Sequence, residues 1–199
     1  MTDKQQLLSD FKFYSSYSKF KKEDERMETW EEAIDRVMQM HYKKYQNKIT
    51  PELQEYLDFA TKQYKEKRIL GSQRALQFGG DSILKHEMKQ FNCLVSYCDR
   101  VEFFKEAMYL LLCGCGVGFS VQTLHVEKLP MIGKRIEGVK TFLIEDSIEG
   151  WADAIGVLLA SYSLSDIKFR DYYGYRIDFD YSNIRPKGSY ISGGFKAPG

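Results

Sequence analysis

The stretch LLLCGCGVGFSV, residues 110–121, decides how the rest of the chain is read. An apolar run ends at Cys113, and Gly114, Gly116 and Gly118 then alternate with Cys115 and Val117. The pattern predicts a helix end, a tight turn and an apolar strand over Val117–Val121. Glycines let a backbone approach a ligand closely and aim N–H groups at an anion. The run is not G-x-G-x-x-G, and it follows a helix rather than a strand, so a dinucleotide-binding fingerprint is unsupported.

Working back toward the N-terminus, Asp99 is placed to cap a helix carrying Phe104, Ala107, Met108 and Leu111 inward. A short apolar segment, Phe91–Tyr97, precedes it. ILGSQRALQFGGDS, residues 69–82, holds three glycines and little helical period, and reads as turn and loop. Two helices come earlier. One runs over about 29–47, opened by a Thr29/Glu32 capping box. The next starts at Thr50 with Pro51 in the first helical position and an inward face of Leu53, Tyr56, Leu57, Ala60 and Tyr64. Residues 1–26 read as a solvated arm, in which Phe11, Phe13 and Tyr17 could lie as a strap on a core. Toward the C-terminus, a strand is expected at Lys140–Ile144. Asp146 and Glu149 open a helix carrying Trp151, Ile155, Leu158, Leu159 and Tyr162. An alternating strand covers Tyr175–Tyr181.

Composition sets outer bounds. In 199 residues, 43% hydrophobic and 29% charged side chains describe a globular chain. Lys plus Arg total 29 against 28 Asp plus Glu, a net charge of +1, so no global field favours nucleic acid or an anionic membrane. No apolar run approaches the roughly 20 residues that span a bilayer. The first ten residues, MTDKQQLLSD, have no signal-peptide core, and a cytoplasmic protein with reduced thiols is expected.

The four cysteines, Cys93, Cys98, Cys113 and Cys115, are spaced C-x4-C and then C-x-C. That departs from the paired C-x2–4-C spacing of structural zinc, and no metal site is expected. His41, His86 and His125 form no H-x3-H pair. Glu145, Asp146 and Glu149 read as helix N-terminal charge rather than an acid/base pair.

Several segments together resemble the large catalytic chain of ribonucleotide reductases: ETWEEAIDRV (28–37), SQRALQFGG (72–80), FNC (91–93), GCGVGFSVQ (114–122), EDSIEGWADAI (145–155) and DYSNIRPKGSYISGG (180–194). Their order and spacing look most like the adenosylcobalamin-dependent class II branch, and within it the monomeric triphosphate reductases. The long stretch between GCGVG and IRPKGS resembles the insertion that replaces the dimer's effector-binding surface. The resemblance implies an α/β fold: an N-terminal helical segment over 1–68, followed over 69–199 by the first part of a ten-stranded α/β barrel. Residues 123–174 would form the insertion resembling the effector-binding region.

Residue by residue, Cys93 matches the cysteine that reduces the substrate. Ser72 and Asn92 match positions near the substrate's phosphate and ribose, and Cys115 and Gly116 match the backbone lying against it. Asp99, Arg185 and Lys187 match effector-contacting positions, and Gly188–Gly194 the loop reporting effector identity. The resemblance leaves Cys98, Cys113 and Cys115 unassigned as redox groups. The resemblance also implies a ribonucleotide substrate, a deoxynucleotide effector, a thioredoxin-like reductant and adenosylcobalamin as cofactor.

The thiyl-radical cysteine, the redox partner of Cys93 and most cobalamin contacts would lie beyond Gly199. The chain is therefore expected to be the first part of a split, interrupted or truncated reductase, completed by a C-terminal chain in a bacterial or phage-infected cell. A non-catalytic nucleotide-binding remnant, a class I large-subunit fragment and a misfolded remnant remain as alternatives at this point.

Overall fold

The computed structural model describes residues 2–134, 138–163, 168–191 and 196–197. The chain forms two compact units, one from residues 1–90 with 187–199 and one from 91–186.

The first unit is mostly helical. Residues read as an arm form a capped helix, α1 (Asp3–Ser16), with a Thr2/Gln5 capping box. A two-stranded antiparallel hairpin follows, β1 (Phe20–Lys21) and β2 (Arg26–Met27). Phe13 is buried as expected of a strap residue, while Phe11 is exposed. The helical hairpin stands where its caps place it. In α2 (Trp30–Tyr45), Thr29 Oγ1 accepts from Glu32 N, and Glu32 Oε2 accepts from Thr29 N. In α3 (Pro51–Lys65), Thr50 Oγ1 accepts from Leu53 N. Only the later half of the expected α3 face turns inward. Tyr64 is buried and Leu57 packs on the core, but Leu53 and Tyr56 are exposed. Trp30 joins the helices: its ring meets Phe13 and Tyr64 edge-on, and Nε1 donates to Lys65 O at 3.0 Å.

The segment expected as loop after residue 69 holds two short helices, α4 (Gln73–Phe78) and α5 (Asp81–Lys85). Helices this short are unstable alone. Tertiary packing forms them, with Ala75 and Leu76 seated in the core beside Ile34 and Val37.

The second unit is built from two strand–helix–strand crossovers. β3 (Cys93–Tyr97) pairs in parallel with β4 (Gly116–Ser120), joined through α6 (Glu102–Leu112). After a short α7 (Thr123–Val126), β5 (Val139–Leu143) pairs in parallel with β6 (Arg176–Asp180) through α8 (Ile148–Ala160). Parallel pairs need such crossovers, and a helix normally makes them. Among the described residues the strands form three two-stranded sheets and no closed barrel.

Four helix details differ from expectation. Asp99 does not cap α6; Val101 occupies the cap position, and Asp99 accepts from Arg100 at 2.9 Å. Phe103 is the buried aromatic of α6, set by its ring contact to Phe119 at 4.9 Å, which turns Phe104 and Leu111 outward. Ser147, not Asp146, caps α8, accepting from Gly150 N at 2.9 Å. The buried face of α8 is its small residues, including Ala152, Ala154, Gly156 and Ala160. A Cβ on Gly156 would stand 2.9 Å from the Phe169 ring and 3.3 Å from Lys105 Cδ, so α8 can pack this closely only with glycine there.

Candidate functional site

Parallel pairing of β3 and β4 brings four of the expected site residues together. Cys93 and Gly116 are register partners at the first position of their strands. Gly116 N donates to Asn92 O at 2.7 Å, and Cys115 Sγ donates to Phe91 O at 3.3 Å. The two entry segments, 91–93 and 114–116, are thus tied by backbone and thiol at the base of the sheet.

Of the four thiols, Cys93 is exposed, whereas Cys98, Cys113 and Cys115 are buried. Its row continues through Val95 and Tyr97, opposite Gly116, Gly118 and Ser120. Val95 is 82% exposed, so this face of the pair is open. On the opposite face Phe103 of α6 packs against the half-exposed Phe119. A Cβ added at Gly116 would lie 3.6 Å from Cys93 Sγ. An accessible thiol over a bare strand backbone can meet a flat substrate at close range and exchange with an external dithiol.

The remaining expected residues are distributed as follows. Ser72 is the N-cap of α4 in the first unit, its hydroxyl accepting from Ala75 N at 3.4 Å. Asp99 follows β3 and carries the Arg100 ion pair. Arg185 lies beyond β6 and donates from Nε to Asp146 Oδ2 at 2.6 Å and from Nη2 to Asp146 O at 3.2 Å, tying that loop to the start of α8. Lys187 and Gly188 belong to the first unit, where Gly188 has a φ of +83° and its N donates to Ala197 O at 3.0 Å. Tyr190 and Lys196 form an antiparallel bridge. Residues 192–194 of the expected effector-reporting loop lie outside the described residues.

Two features went unread in the sequence. One is a groove of about 610 Å³ between α6 and α8. Tyr109 lines it, and burial, followed by the neighbouring Cys113 and Glu149, pushes its phenol up to about 12. The other is a buried network of Lys19, Glu28 and Arg36 in the first unit. The groove shows no motif because α6 and α8 lie far apart in the sequence, and the network is set by how the chain turns between Lys19, Glu28 and Arg36 rather than by their spacing.

This groove does not fit adenosylcobalamin. A corrin needs a broad apolar slot, whereas this groove is rimmed by Glu102, Lys105, Glu106, Glu149, Asp153 and Lys168. Among the described residues no group of His, Cys, Asp and Glu could hold a metal ion. No helix among them is long and apolar enough to cross a membrane.

No family model and no curated protein matches the sequence. In three dimensions the chain is similar to the crystal structure of a B12-dependent (class II) ribonucleotide reductase, with a TM-score of 0.76 and 20% sequence identity. The match covers 94% of this chain and 34% of that one, so the chain spans about a third of the reductase's length. At this identity the likeness is one of fold, and the chain has a fold like part of a class II ribonucleotide reductase.

Proposed function

We propose that the chain forms the N-terminal part of an adenosylcobalamin-dependent ribonucleoside-triphosphate reductase, converting ribonucleotides to deoxyribonucleotides together with the rest of the reductase fold. The observation that carries this reading is the placement of Cys93: an exposed thiol at the head of β3, over Gly116 and beside Asn92, in a chain of reductase-like fold.

In the reaction a thiyl radical from outside these residues removes the 3′ hydrogen and later returns it. Cys93 and a second thiol, also from outside, supply two electrons and two protons. The 2′ C–O bond breaks, its oxygen leaves as water, a C–H bond forms at C2′, and the two thiols become a disulfide. A thioredoxin-like dithiol then reduces that disulfide by exchange. Asn92 and the backbone of Cys115 and Gly116 line the substrate side of Cys93, and Ser72 serves the substrate phosphates. Asp99, Arg185, Lys187 and Gly188 serve a deoxynucleotide effector, with 123–174 as the effector-region insertion. In the complete enzyme adenosylcobalamin would supply the radical, held by residues outside this chain.

The reading is tested by substrate protection. In the complete reductase, a ribonucleoside triphosphate should slow alkylation of Cys93, followed by mass spectrometry of its peptide. Alkylation that proceeds at the ligand-free rate at saturating nucleotide would contradict it.

A further inference from the structure

Helix α4 has six residues and Ser72 as its N-cap. Isolated helices of that length do not hold, so what fixes its other end also fixes Ser72. That other end is held from α2 and from the segment before the β1–β2 hairpin. Arg36 Nη2 donates to Leu76 O at 2.9 Å, and Arg36 Nη1 to Gly79 O at 3.0 Å. Lys19 Nζ donates to the same Gly79 O at 2.7 Å.

Arg36 is itself aimed. Its Nε and Nη2 donate to Glu28 Oε1 and Oε2 at 2.7 and 2.9 Å, a bidentate pair in which Glu28 is only 6% exposed. Glu28 Oε2 also accepts from Lys19 N at 3.1 Å. The approach is tight. A Cβ on Gly79 would lie 2.3 Å from Ala75 O and 3.2 Å from Arg36 Nη1, and Gly80 turns the chain at a φ of +97°. A buried ion pair is weak evidence for net stability. What this one supplies is geometry, because a bidentate guanidinium fixes direction as well as distance.

Resting on the reading that Ser72 serves the substrate phosphates, we propose that Arg36, aimed by Glu28 and seconded by Lys19, is a positioning residue for Ser72. It grips α4 by its C-terminal carbonyls and so sets where the Ser72 hydroxyl stands for a ribonucleotide's phosphate group. Arg36 acts through α4 and does not itself meet the substrate.

The test is a double-mutant cycle in the complete reductase with Arg36→Lys, Ser72→Ala and both together. Lysine keeps the charge and loses the fork. Misplacement on the ångström scale is costly in such sites, and Arg36→Lys should raise KM for the ribonucleotide about tenfold with kcat little changed. Ser72→Ala should raise KM similarly, and the double variant should be no worse than the worse single one. Independent, multiplying effects on KM, or a fall in kcat with KM unchanged, would overturn the inference. Should Arg36→Lys not fold, Lys19→Met removes one donor to Gly79 O and leaves the Glu28–Arg36 pair. Its smaller KM rise should vanish in the Ser72→Ala background, and persistence there would overturn the inference equally. A wild-type enzyme that forms no deoxyribonucleotide would fail the reductase reading and take this inference with it. Turnover with independent effects would fail this inference alone.

Discussion

Cys93 and Gly116 face each other across the parallel β3–β4 pair, and a Cβ at position 116 would come within 3.6 Å of the Cys93 sulfur. That distance is ordinary van der Waals contact, so the chain's own packing tolerates a side chain there. What a side chain would take is the open space beside the thiol. Gly116→Val should therefore leave the fold intact and slow alkylation of Cys93 severalfold, measured by timed iodoacetamide labelling.

The burial of the other three thiols gives a second expectation. Native protein should take up one alkyl group, at Cys93, and the remaining three cysteines should react only on unfolding. Intact-mass spectrometry with and without denaturant checks this. Labelling of Cys113 or Cys115 under native conditions would contradict the described packing of the 113–116 turn.

At the glycine pair after α4 the two residues are needed for different reasons. Gly79→Ala forces a Cβ to 2.3 Å from Ala75 O and should destabilise the protein by about 3 kcal/mol. Gly80→Ala meets no such contact but must hold a φ of +97° with a ψ of −151°, at a cost of about 1–3 kcal/mol. Urea unfolding of both variants checks the order.

Lys19 links the hairpin to solution pH. Burial, and then the Arg36 guanidinium, lowers its ammonium to about 8, with Glu28 offsetting part of the shift. The folded state thus holds its proton less tightly than the unfolded chain does, whose lysines titrate near 10.5. Between those two values the unfolded state carries more protons, so this group makes stability rise with pH from about 8 to 10.5. Lys19→Met should lack that rise, read as the difference between the two proteins' urea midpoints across this range.

The cap of α8 separates two neighbouring residues. Ser147→Ala removes the hydroxyl that accepts from Gly150 N and should cost about 1 kcal/mol. Asp146→Ala leaves the cap and frees Arg185 from its ion pair. Its effect should appear as faster hydrogen exchange in the 182–186 loop rather than in α8.

What could be read without the structure follows the range of the physics involved. Caps are local chemistry, so Thr29 with Glu32 and Thr50 with Pro51 located their helices to within a residue or two. β6 was legible because Ile177 and Phe179 alternate with charged neighbours. α1 was missed because it buries only Phe13 while Leu7, Leu8 and Phe11 face outward, leaving no apolar stripe to read. α4 and α5 were missed because their glycine-rich texture reads as loop, and long-range bonds from Arg36 and Lys19 hold α4. Asp146 and Ser147 are both cap-forming residues, and Asp146 is engaged by Arg185, 39 positions away. The Cys93–Gly116 juxtaposition is likewise set by strand register, which neither segment encodes alone.

The central claim is that Cys93 is a reducing thiol of ribonucleotide reduction. The direct measurement is deoxyribonucleotide formation from a ribonucleoside triphosphate by the complete reductase, with adenosylcobalamin and a dithiol, comparing wild type with Cys93→Ser. The account predicts turnover by wild type and its loss in Cys93→Ser, with nucleotide binding retained. Full turnover by Cys93→Ser would contradict it.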